Sequence, residues 1–314
     1  MNILEFATSI GAPLHPAQTF ILKLLYGIPL SDKQTIPISD HTRVGSVVMS
    51  EKEYLDFLYA RNRCNISELI PGKKFNTLAL ACGRRSGKTY LTSIIVAYEA
   101  SETLKRDCPQ LRYGMLSSQP IFCTLIGNDL NQSRFLLKEV ISFMDMTREG
   151  MLHKVSSQYD SVSYQSYADM REHGHRRDNP RSPASLQFSA RSCYTNSFRG
   201  MSSLVVVFDE VAYYPDARKV FDSIAPCASG FSPKDPNDPY RPVGPVEARI
   251  LMTSTPAPVD TFFKSFFGVS MAPRGVLSLQ IPTWEMNPTI PAEEFEKNRL
   301  LNPDRFHMEF GAEF

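Results

Sequence analysis

The residues of this chain that could do chemistry begin with the segment CGRRSGKT, residues 82–89. A phosphate-binding loop follows the pattern G-x-x-x-x-G-K-[ST]: backbone N–H groups surround a phosphate, the lysine neutralises it and the hydroxyl ligates magnesium. Gly87, Lys88 and Thr89 match the end of this pattern. Cys82 occupies the position of the first glycine, and the nearest glycine comes one residue later.

The displaced glycine leaves two interpretations open. Small residues at Cys82, Gly83 and Ser86 still permit a phosphate to approach the backbone, in which case residues 82–89 bind nucleotide. Alternatively, Gly-Lys-Thr merely caps a helix. The context favours the loop, because an apolar strand precedes it and an amphipathic helix begins at Lys88. A phosphate loop requires both elements, since the strand delivers the turn and the helix N-terminus faces the charge.

Polar residues also end two other apolar segments. In LVVVFDE, Asp209 and Glu210 follow an apolar strand, whose carboxyl end is where α/β enzymes bind ligands. We expect Asp209 to hold the water shell of a magnesium ion and Glu210 to polarise the attacking water. In RILMTSTP, the hydroxyls of Thr253, Ser254 and Thr255 could sense the γ-phosphate, with a plain turn before the proline as the alternative.

The apolar pattern predicts the elements that position these residues. Short apolar runs without alternation indicate buried strands, and helical patterns lie between several of them, which favours an α/β fold with a mostly parallel sheet flanked by helices. The predicted strands are 76–81, 121–127, 185–189, 204–208, 249–253 and 276–281, and the predicted helices are 16–26, 51–61, 88–105 and 132–144. We expect residues 1–70 to form an N-terminal helical segment packed on a core of residues 71–314.

Composition limits the function classes. The net charge is only +1, so any binding of nucleic acid must come from a local patch. The six cysteines lack C-x-x-C spacing, which argues against a zinc site or a disulfide framework and for a reducing compartment. Neither a signal peptide nor a membrane-spanning apolar run is present in the pattern, so we expect an intracellular protein without a membrane. Segments 171–183 and 229–245 are predicted to be surface loops.

Taken in order, these motifs resemble those of the ATPase domain of large terminases, the motor proteins of tailed double-stranded DNA viruses. CGRRSGKT is similar to an arginine-containing variant of the Walker A loop, LVVVFDE to Walker B and MTSTP to the coupling motif. HPAQ, residues 15–18, resembles the family's adenine-recognition segment. PTWEMNP, residues 282–288, resembles the stretch that closes the ATPase domain.

The resemblance implies a RecA-like ASCE P-loop NTPase that uses ATP and Mg²⁺ to move double-stranded DNA into a procapsid. It also implies a homo-oligomeric ring, expected to be a pentamer, with the portal protein and the small terminase as partners. The protein would work in the cytoplasm of the infected host cell, bind the procapsid transiently and be absent from the mature virion. The chain stops at FHMEFGAEF, where the nuclease domain of a large terminase would begin, so we expect no nuclease activity.

The resemblance also implies roles for single residues. Gln18 would recognise adenine through its amide, and Arg84 or Arg85 would contact the γ-phosphate within the subunit. A ring also needs an arginine from the neighbouring subunit, because charge on the transferred phosphoryl group must be stabilised. Arg134 is our first candidate for this trans-acting arginine, and Arg199 is the second.

The substrate and the exact class of activity leave alternatives open. The basic segment that contains Arg176 and Arg177 offers candidate DNA contacts, diluted by Glu172 and Asp178. A helicase-type translocase would share these motifs, but it should contain a second RecA-like domain for which the remaining residues leave no room. A nucleotide-binding scaffold without turnover is disfavoured by Glu210, because binding alone needs no group that activates water.

Overall fold

A computed structural model describes residues 1–175, 178, 183–194, 198, 200–258, 260–268, 273 and 275–314. The chain divides into two compact units. The first unit consists of Met1–Leu91, Glu210–Ala217 and Leu251–Phe314, and the second consists of Thr92–Asp209 and Arg218–Ile250. Within the described residues, no helix combines the length and apolarity needed to cross a membrane.

Helices and strands alternate along much of the chain. The α-helices are α1 (Ile3–Ser9), α2 (Pro16–Tyr26), α3 (Glu51–Ala60), α4 (Lys88–Leu104), α5 (Leu130–Met144), α6 (Arg148–His153), α7 (Tyr167–His173), α8 (Ala217–Ile224), α9 (Thr283–Met286), α10 (Ala292–Leu301) and α11 (Pro303–Glu309). The strands are β1 (Gln34–Ile38), β2 (Val47–Ser50), β3 (Thr77–Cys82), β4 (Ile121–Gly127), β5 (Lys154–Ser157), β6 (Ser161–Tyr164), β7 (Leu186–Ser192), β8 (Ser203–Asp209), β9 (Lys234–Asp235), β10 (Asp238–Pro242), β11 (Arg249–Ser254) and β12 (Val276–Ile281).

In the first unit, β3 carries the phosphate-loop segment to the end of the sheet. It pairs in parallel with β12, from Thr77 opposite Val276 to Cys82 opposite Ile281, and β11 is its other neighbour. Five of the six β3 residues are buried, which explains why this strand is apolar without alternation. The register brings the ends of β3 and β12 together, so the residues that follow both strands meet at one edge.

In the second unit, β4 is the central strand. It pairs in parallel with β7 on one side and with β8 on the other, and β6 and β5 extend the sheet with antiparallel pairs. Every residue of β8 is buried, so this strand delivers Asp209 from a fully apolar environment. Helix α5 begins after Asp129, whose side chain accepts a hydrogen bond from the Gln132 N–H at 2.9 Å.

The prediction of an α/β fold with a mostly parallel sheet is confirmed, and strands 121–127 and 276–281 and helix 16–26 have the predicted limits. The predicted loop at 229–245 instead contains a hairpin of β9 and β10, and α7 extends into the predicted loop at 171–183. The N-terminal segment contains an unpredicted hairpin of β1 and β2. The strand β1 was not predicted because it contains a proline, which usually argues against a strand. A two-stranded ribbon nevertheless tolerates proline on its open edge.

Candidate nucleotide-binding site

The loop between β3 and α4 has two residues in the left-handed region, Arg85 with φ 61° and Gly87 with φ 81°. Alternation of conformations in such a turn makes a concave row of backbone N–H groups that suits an anion. At Gly87, a nearby side chain also favours glycine. A Cβ atom on Gly87 would lie 2.7 Å from Nε2 of Gln18, closer than real Cβ atoms approach.

The structure also explains the displaced glycine. A Cβ atom on Gly83 would collide with Oγ1 of Thr283 and with the carbonyl oxygen of Phe310, which belong to the segment after β12. Packing against that segment therefore requires glycine at this position. Cys82 is the fully buried last residue of β3, and burial raises its pKa to about 12, so it behaves as a small neutral side chain.

Lys88 and Glu210, which lie far apart in sequence, meet in the first unit. Nζ of Lys88 is 3.1 Å from Oε1 of Glu210, and Lys88 is only 7% exposed. The other carboxylate oxygen, Oε2, accepts a hydrogen bond from the backbone N–H of Thr255 at 3.1 Å. Oγ of Ser254 also lies 3.1 Å from Oε2, but its single proton has a second acceptor, the carbonyl oxygen of Thr255 at 2.7 Å. Glu210 therefore contacts Lys88 of the phosphate loop and Ser254 and Thr255 of the third motif.

A further tyrosine joins this group. Oγ1 of Thr255 lies 3.4 Å from Oε2 of Glu210 and 3.2 Å from the phenol oxygen of Tyr213. The Tyr213 hydroxyl donates to the carbonyl oxygen of Pro256 at 3.4 Å. A threonine hydroxyl has one proton, so Thr255 donates to one of its two acceptors at a time. Thr253, the other predicted coupling hydroxyl, is fully buried within β11.

Gln18 lies beside the phosphate loop, as the sequence analysis requires for an adenine-recognition residue. Its Nε2 donates to the carbonyl oxygen of Ser86 at 3.5 Å, and its Oε1 accepts from the backbone N–H of His15 at 2.9 Å. Both ends of the amide thus bond to backbone groups, and the side chain is 2% exposed. Its contact with adenine stays a prediction.

The loop arginines pair with acids from the last two helices. Nη2 of Arg84 is 3.0 Å from Oε1 of Glu309 on α11, and Nη1 of Arg85 is 3.7 Å from Oε1 of Glu294 on α10. More than half of each arginine side chain is exposed. Both guanidinium groups therefore lie at the loop, but their partners here are carboxylates of the same unit.

The predicted magnesium ligands have the right chemistry for that ion. Asp209 is 5% exposed, and its Oδ2 accepts a hydrogen bond from Nε2 of Gln132 at 3.4 Å within the second unit. Thr89 lies in the first turn of α4. Among the residues that the structure describes, no three acidic, histidine or cysteine side chains gather as a metal site. A site with few protein ligands suits Mg²⁺, which commonly takes its other oxygens from phosphates and water.

Arg134 is held on the surface of the second unit by an aromatic ring. Its guanidinium lies 3.8 Å from the ring centroid of Tyr159, and its Nη1 donates to Oδ1 of Asn131 at 3.4 Å. The competing candidate, Arg199, lies outside the described residues, as do the predicted DNA contacts Arg176 and Arg177.

A comparison with models of protein families identifies the family of this chain. A family model described as "Uncharacterized protein MJ0330, N-terminal P-loop domain" matches residues 18–311. The chain belongs to this P-loop family. No curated protein matches the sequence.

This member of the P-loop family is similar in fold to a solved structure of a large terminase ATPase domain. The large terminase ATPase domain of Thermus phage P74-26 superimposes with a TM-score of 0.54 at 18% identity, over 77% of this chain and 90% of that chain. An arginine-to-alanine mutant of that domain gives the same values. The large terminase of bacteriophage HK97 has a TM-score of 0.48 at 9% identity, over 83% of this chain and 55% of that chain. The family model and the superposition on the P74-26 domain confirm the predicted RecA-like P-loop fold of terminase ATPase domains.

Sequence reasoning missed several residues that contact the P-loop motif. Thr283 and Asn287 donate to loop carbonyls, Glu309 pairs with a loop arginine, and Tyr213 contacts Thr255. The segment PTWEMNP was recognised as closing the domain, but its pattern does not indicate which side chains face the loop. Their contacts depend on how β12 and β3 align, which no local pattern reveals.

Proposed function

We propose that this chain hydrolyses ATP and that it does so as the motor subunit that moves double-stranded DNA into a viral procapsid. The observation that carries the first part is the contact between Nζ of Lys88 and Oε1 of Glu210 beside a phosphate loop. A lysine and a loop suffice for binding phosphates. A carboxylate that reaches the same position supplies the group that hydrolysis needs, because it can polarise a water molecule.

The contacts of Glu210 support a first step in which one of its carboxylate oxygens becomes available to water. When phosphates enter the loop, they attract the Lys88 ammonium more strongly than the single carboxylate of Glu210 does, because they carry more negative charge. Its departure leaves Oε1 of Glu210 available to accept a hydrogen bond from water, while the backbone N–H of Thr255 keeps holding Oε2. The water oxygen bonds to the γ-phosphorus and gives a proton to Glu210, the bond between the γ-phosphorus and the β-phosphate oxygen breaks, and ADP and inorganic phosphate result.

The remaining site residues have roles that follow from their motifs. Thr89 and Asp209 would hold Mg²⁺, whose chemistry is to neutralise charge on the β- and γ-phosphate oxygens. Gln18 would face adenine, with its amide fixed by its backbone partners. Arg84 or Arg85 would leave its glutamate partner for the γ-phosphate.

The packaging part of the proposal is supported by the order of the motifs and by the fold shared with a protein named as a large terminase ATPase domain. The packaging proposal includes four expected partners, namely double-stranded DNA, the portal protein, the small terminase and further copies of this chain in a ring. The expected place of action is the cytoplasm of an infected cell. Reversing the charge of Arg176 and Arg177 should weaken salt-sensitive DNA binding, and unchanged binding would remove these two residues from the proposal.

The deciding experiment measures ATP hydrolysis by the wild-type protein and by Glu210→Gln over a range of protein concentrations. Glu68→Gln, which changes an exposed glutamate of the same unit, is the matched control. We expect Glu210→Gln to bind ATP and to lose turnover by about 10²–10⁴-fold, the usual contribution of a general base. Turnover that rises faster than linearly with concentration would support an arginine supplied by a neighbouring subunit.

Other outcomes would redirect the proposal. ATP binding without Glu210-dependent hydrolysis would favour the nucleotide-binding scaffold. Stimulation of turnover by single-stranded but not by double-stranded DNA, together with strand separation, would favour the helicase-type translocase. Turnover that is linear in concentration would place every catalytic group within one chain.

A further inference from the structure

The carbonyl groups of the phosphate loop are held from outside by side chains. The carbonyl oxygen of Arg84 accepts from Oγ1 of Thr283, and that of Arg85 accepts from Nδ2 of Asn287, both at 2.9 Å. The next carbonyl, of Ser86, accepts from the Gln18 amide at 3.5 Å. Three consecutive carbonyls of the loop thus have side-chain donors from segments far away in sequence.

The direction of these carbonyls fixes the direction of the N–H groups. A trans peptide is planar, and its N–H points away from its C=O. Donors on the outside of the loop therefore turn the N–H groups of Arg85, Ser86 and Gly87 toward the inside. Such a row of N–H groups is the part of a phosphate loop that binds an anion.

The two closest donors are themselves well fixed. Thr283 is the first residue of α9 and Asn287 follows its last residue. Glu285 of this helix is 4% exposed and accepts two hydrogen bonds from the Arg63 guanidinium, at 2.7 and 3.1 Å. The hydroxyl of buried Tyr54 donates to Glu285 at 2.6 Å. The backbone N–H of Thr283 donates to the Phe310 carbonyl at 2.8 Å. Because α9 is anchored in this way, its side chains can impose a conformation on the loop.

We infer that Thr283 and Asn287, the loop brace, are positioning residues for phosphate binding. They contact no phosphate, but their hydrogen bonds hold the loop with its N–H groups turned inward before nucleotide arrives. This preorganisation lowers the cost of binding, since less of the loop must be ordered at that moment. The inference rests on the proposed function in one respect, namely that the loop binds the phosphates of a nucleotide.

The test compares Thr283→Val and Asn287→Leu, which remove the donors with little change of volume, with the wild-type protein. Titration calorimetry should show ADP binding weakened by about two- to tenfold in each variant, the effect of losing one net hydrogen bond. Adenosine, which has no phosphate, should bind with unchanged affinity. Thr283→Ser keeps the hydroxyl and should restore ADP binding.

Thr103→Val is the matched control, because it also removes a buried hydroxyl that donates to a backbone carbonyl, that of Glu99 at 2.7 Å, far from the loop in sequence. We expect it to leave ADP affinity unchanged. Thermal unfolding without nucleotide checks that each variant is folded. If Thr283→Val fails to fold, Asn287→Leu at the half-buried Asn287 still decides the inference.

Unchanged ADP affinity in folded brace variants would overturn the inference. Equal losses of ADP and adenosine affinity would also overturn it, because they would indicate general damage to the site. Wild-type protein that binds ADP without Glu210-dependent hydrolysis would refute the proposed ATPase and leave the brace in place. Wild-type protein that binds no ADP would refute both.

Discussion

The arginines of the phosphate loop and the arginine of α5 are held by different kinds of partner. In the first unit, Arg84 and Arg85 face the carboxylates of Glu309 and Glu294. In the second unit, the guanidinium of Arg134 lies over the ring of Tyr159. An ion pair engages the N–H donors of a guanidinium, whereas stacking engages its face and leaves most donors for another acceptor.

The two kinds of partner fit the two roles proposed for these arginines. Ion pairs hold Arg84 and Arg85 at the loop of their own unit, as the proposed contact with the γ-phosphate within the subunit requires. Arg134 has its aromatic support and one amide partner at 3.4 Å, which suits a residue that presents its donors to a neighbouring subunit. Turnover and unfolding of arginine variants test this distinction, and variants of Gly83 and Glu247 test loop packing in the first unit and an ion-pair cluster in the second.

The largest expected effect is on turnover in Arg134→Ala. If Arg134 stabilises the transferred phosphoryl group of a neighbour, kcat should fall by about 10³-fold or more, with ADP affinity unchanged. Mixing this variant with Glu210→Gln should restore part of the turnover, because each chain supplies what the other lacks. Lys138→Ala, on the same helix, is the control. Full turnover in Arg134→Ala would exclude it and leave Arg199 as the candidate.

Gly83→Ala should damage the loop itself. The added methyl group meets Thr283 and the Phe310 carbonyl, and crowding of this kind costs about 1–3 kcal/mol of the free energy of unfolding. Urea unfolding measures the loss, and ADP affinity should fall with it. Gly230→Ala is the control, since nothing lies within 4 Å of a Cβ atom there. Equal stability of the two variants would contradict the packing explanation for this glycine.

The ion pairs of the second unit should make stability depend on pH. Burial alone would raise the pKa of Glu247, but hydrogen bonds from Arg112 and Tyr113 and the charge of Arg106 outweigh it and lower that pKa. A folded-state pKa below the unfolded one stabilises the protein above the unfolded pKa, and this contribution disappears as pH falls through the folded pKa. Relative to wild type, Glu247→Gln should lose about 1 kcal/mol at pH 7 and less in acid, measured by urea unfolding.

The smallest effects concern the loop ion pairs. Arg85→Gln should change the free energy of unfolding by less than about 0.5 kcal/mol, because both partners are exposed. Arg84→Gln should cost somewhat more, up to about 1 kcal/mol, because its partner Glu309 is buried. Turnover in the same two variants would identify the arginine that reaches the γ-phosphate. Equal unfolding curves and equal turnover would remove the distinction between them.

Sequence patterns selected residues that lie together in the structure where particular residue types occur in local order, and their roles stay predictions. Gly87 and Lys88 lie between a strand and the start of a helix, and Glu210 and Thr255 each come directly after a strand, so adjacent residues were enough to select them. The α/β fold followed from the same alternation of strands and helices. The packing role of Gly83 could not be predicted, because a pattern does not reveal that this glycine lies against Thr283 and Phe310.

The amino-acid sequence by itself therefore determined the elements, the phosphate loop and the chemical groups at the strand ends, because each depends on neighbours within a few residues. Only the tertiary structure decided that Thr283 and Asn287 hold the loop carbonyls, that Lys88 faces Glu210, and that Tyr159 supports Arg134. The physical reason is the range of the interactions. Local hydrogen bonds and apolar periodicity depend on residues that are close in sequence. These contacts, by contrast, form only after strands and helices that are distant in sequence have packed together.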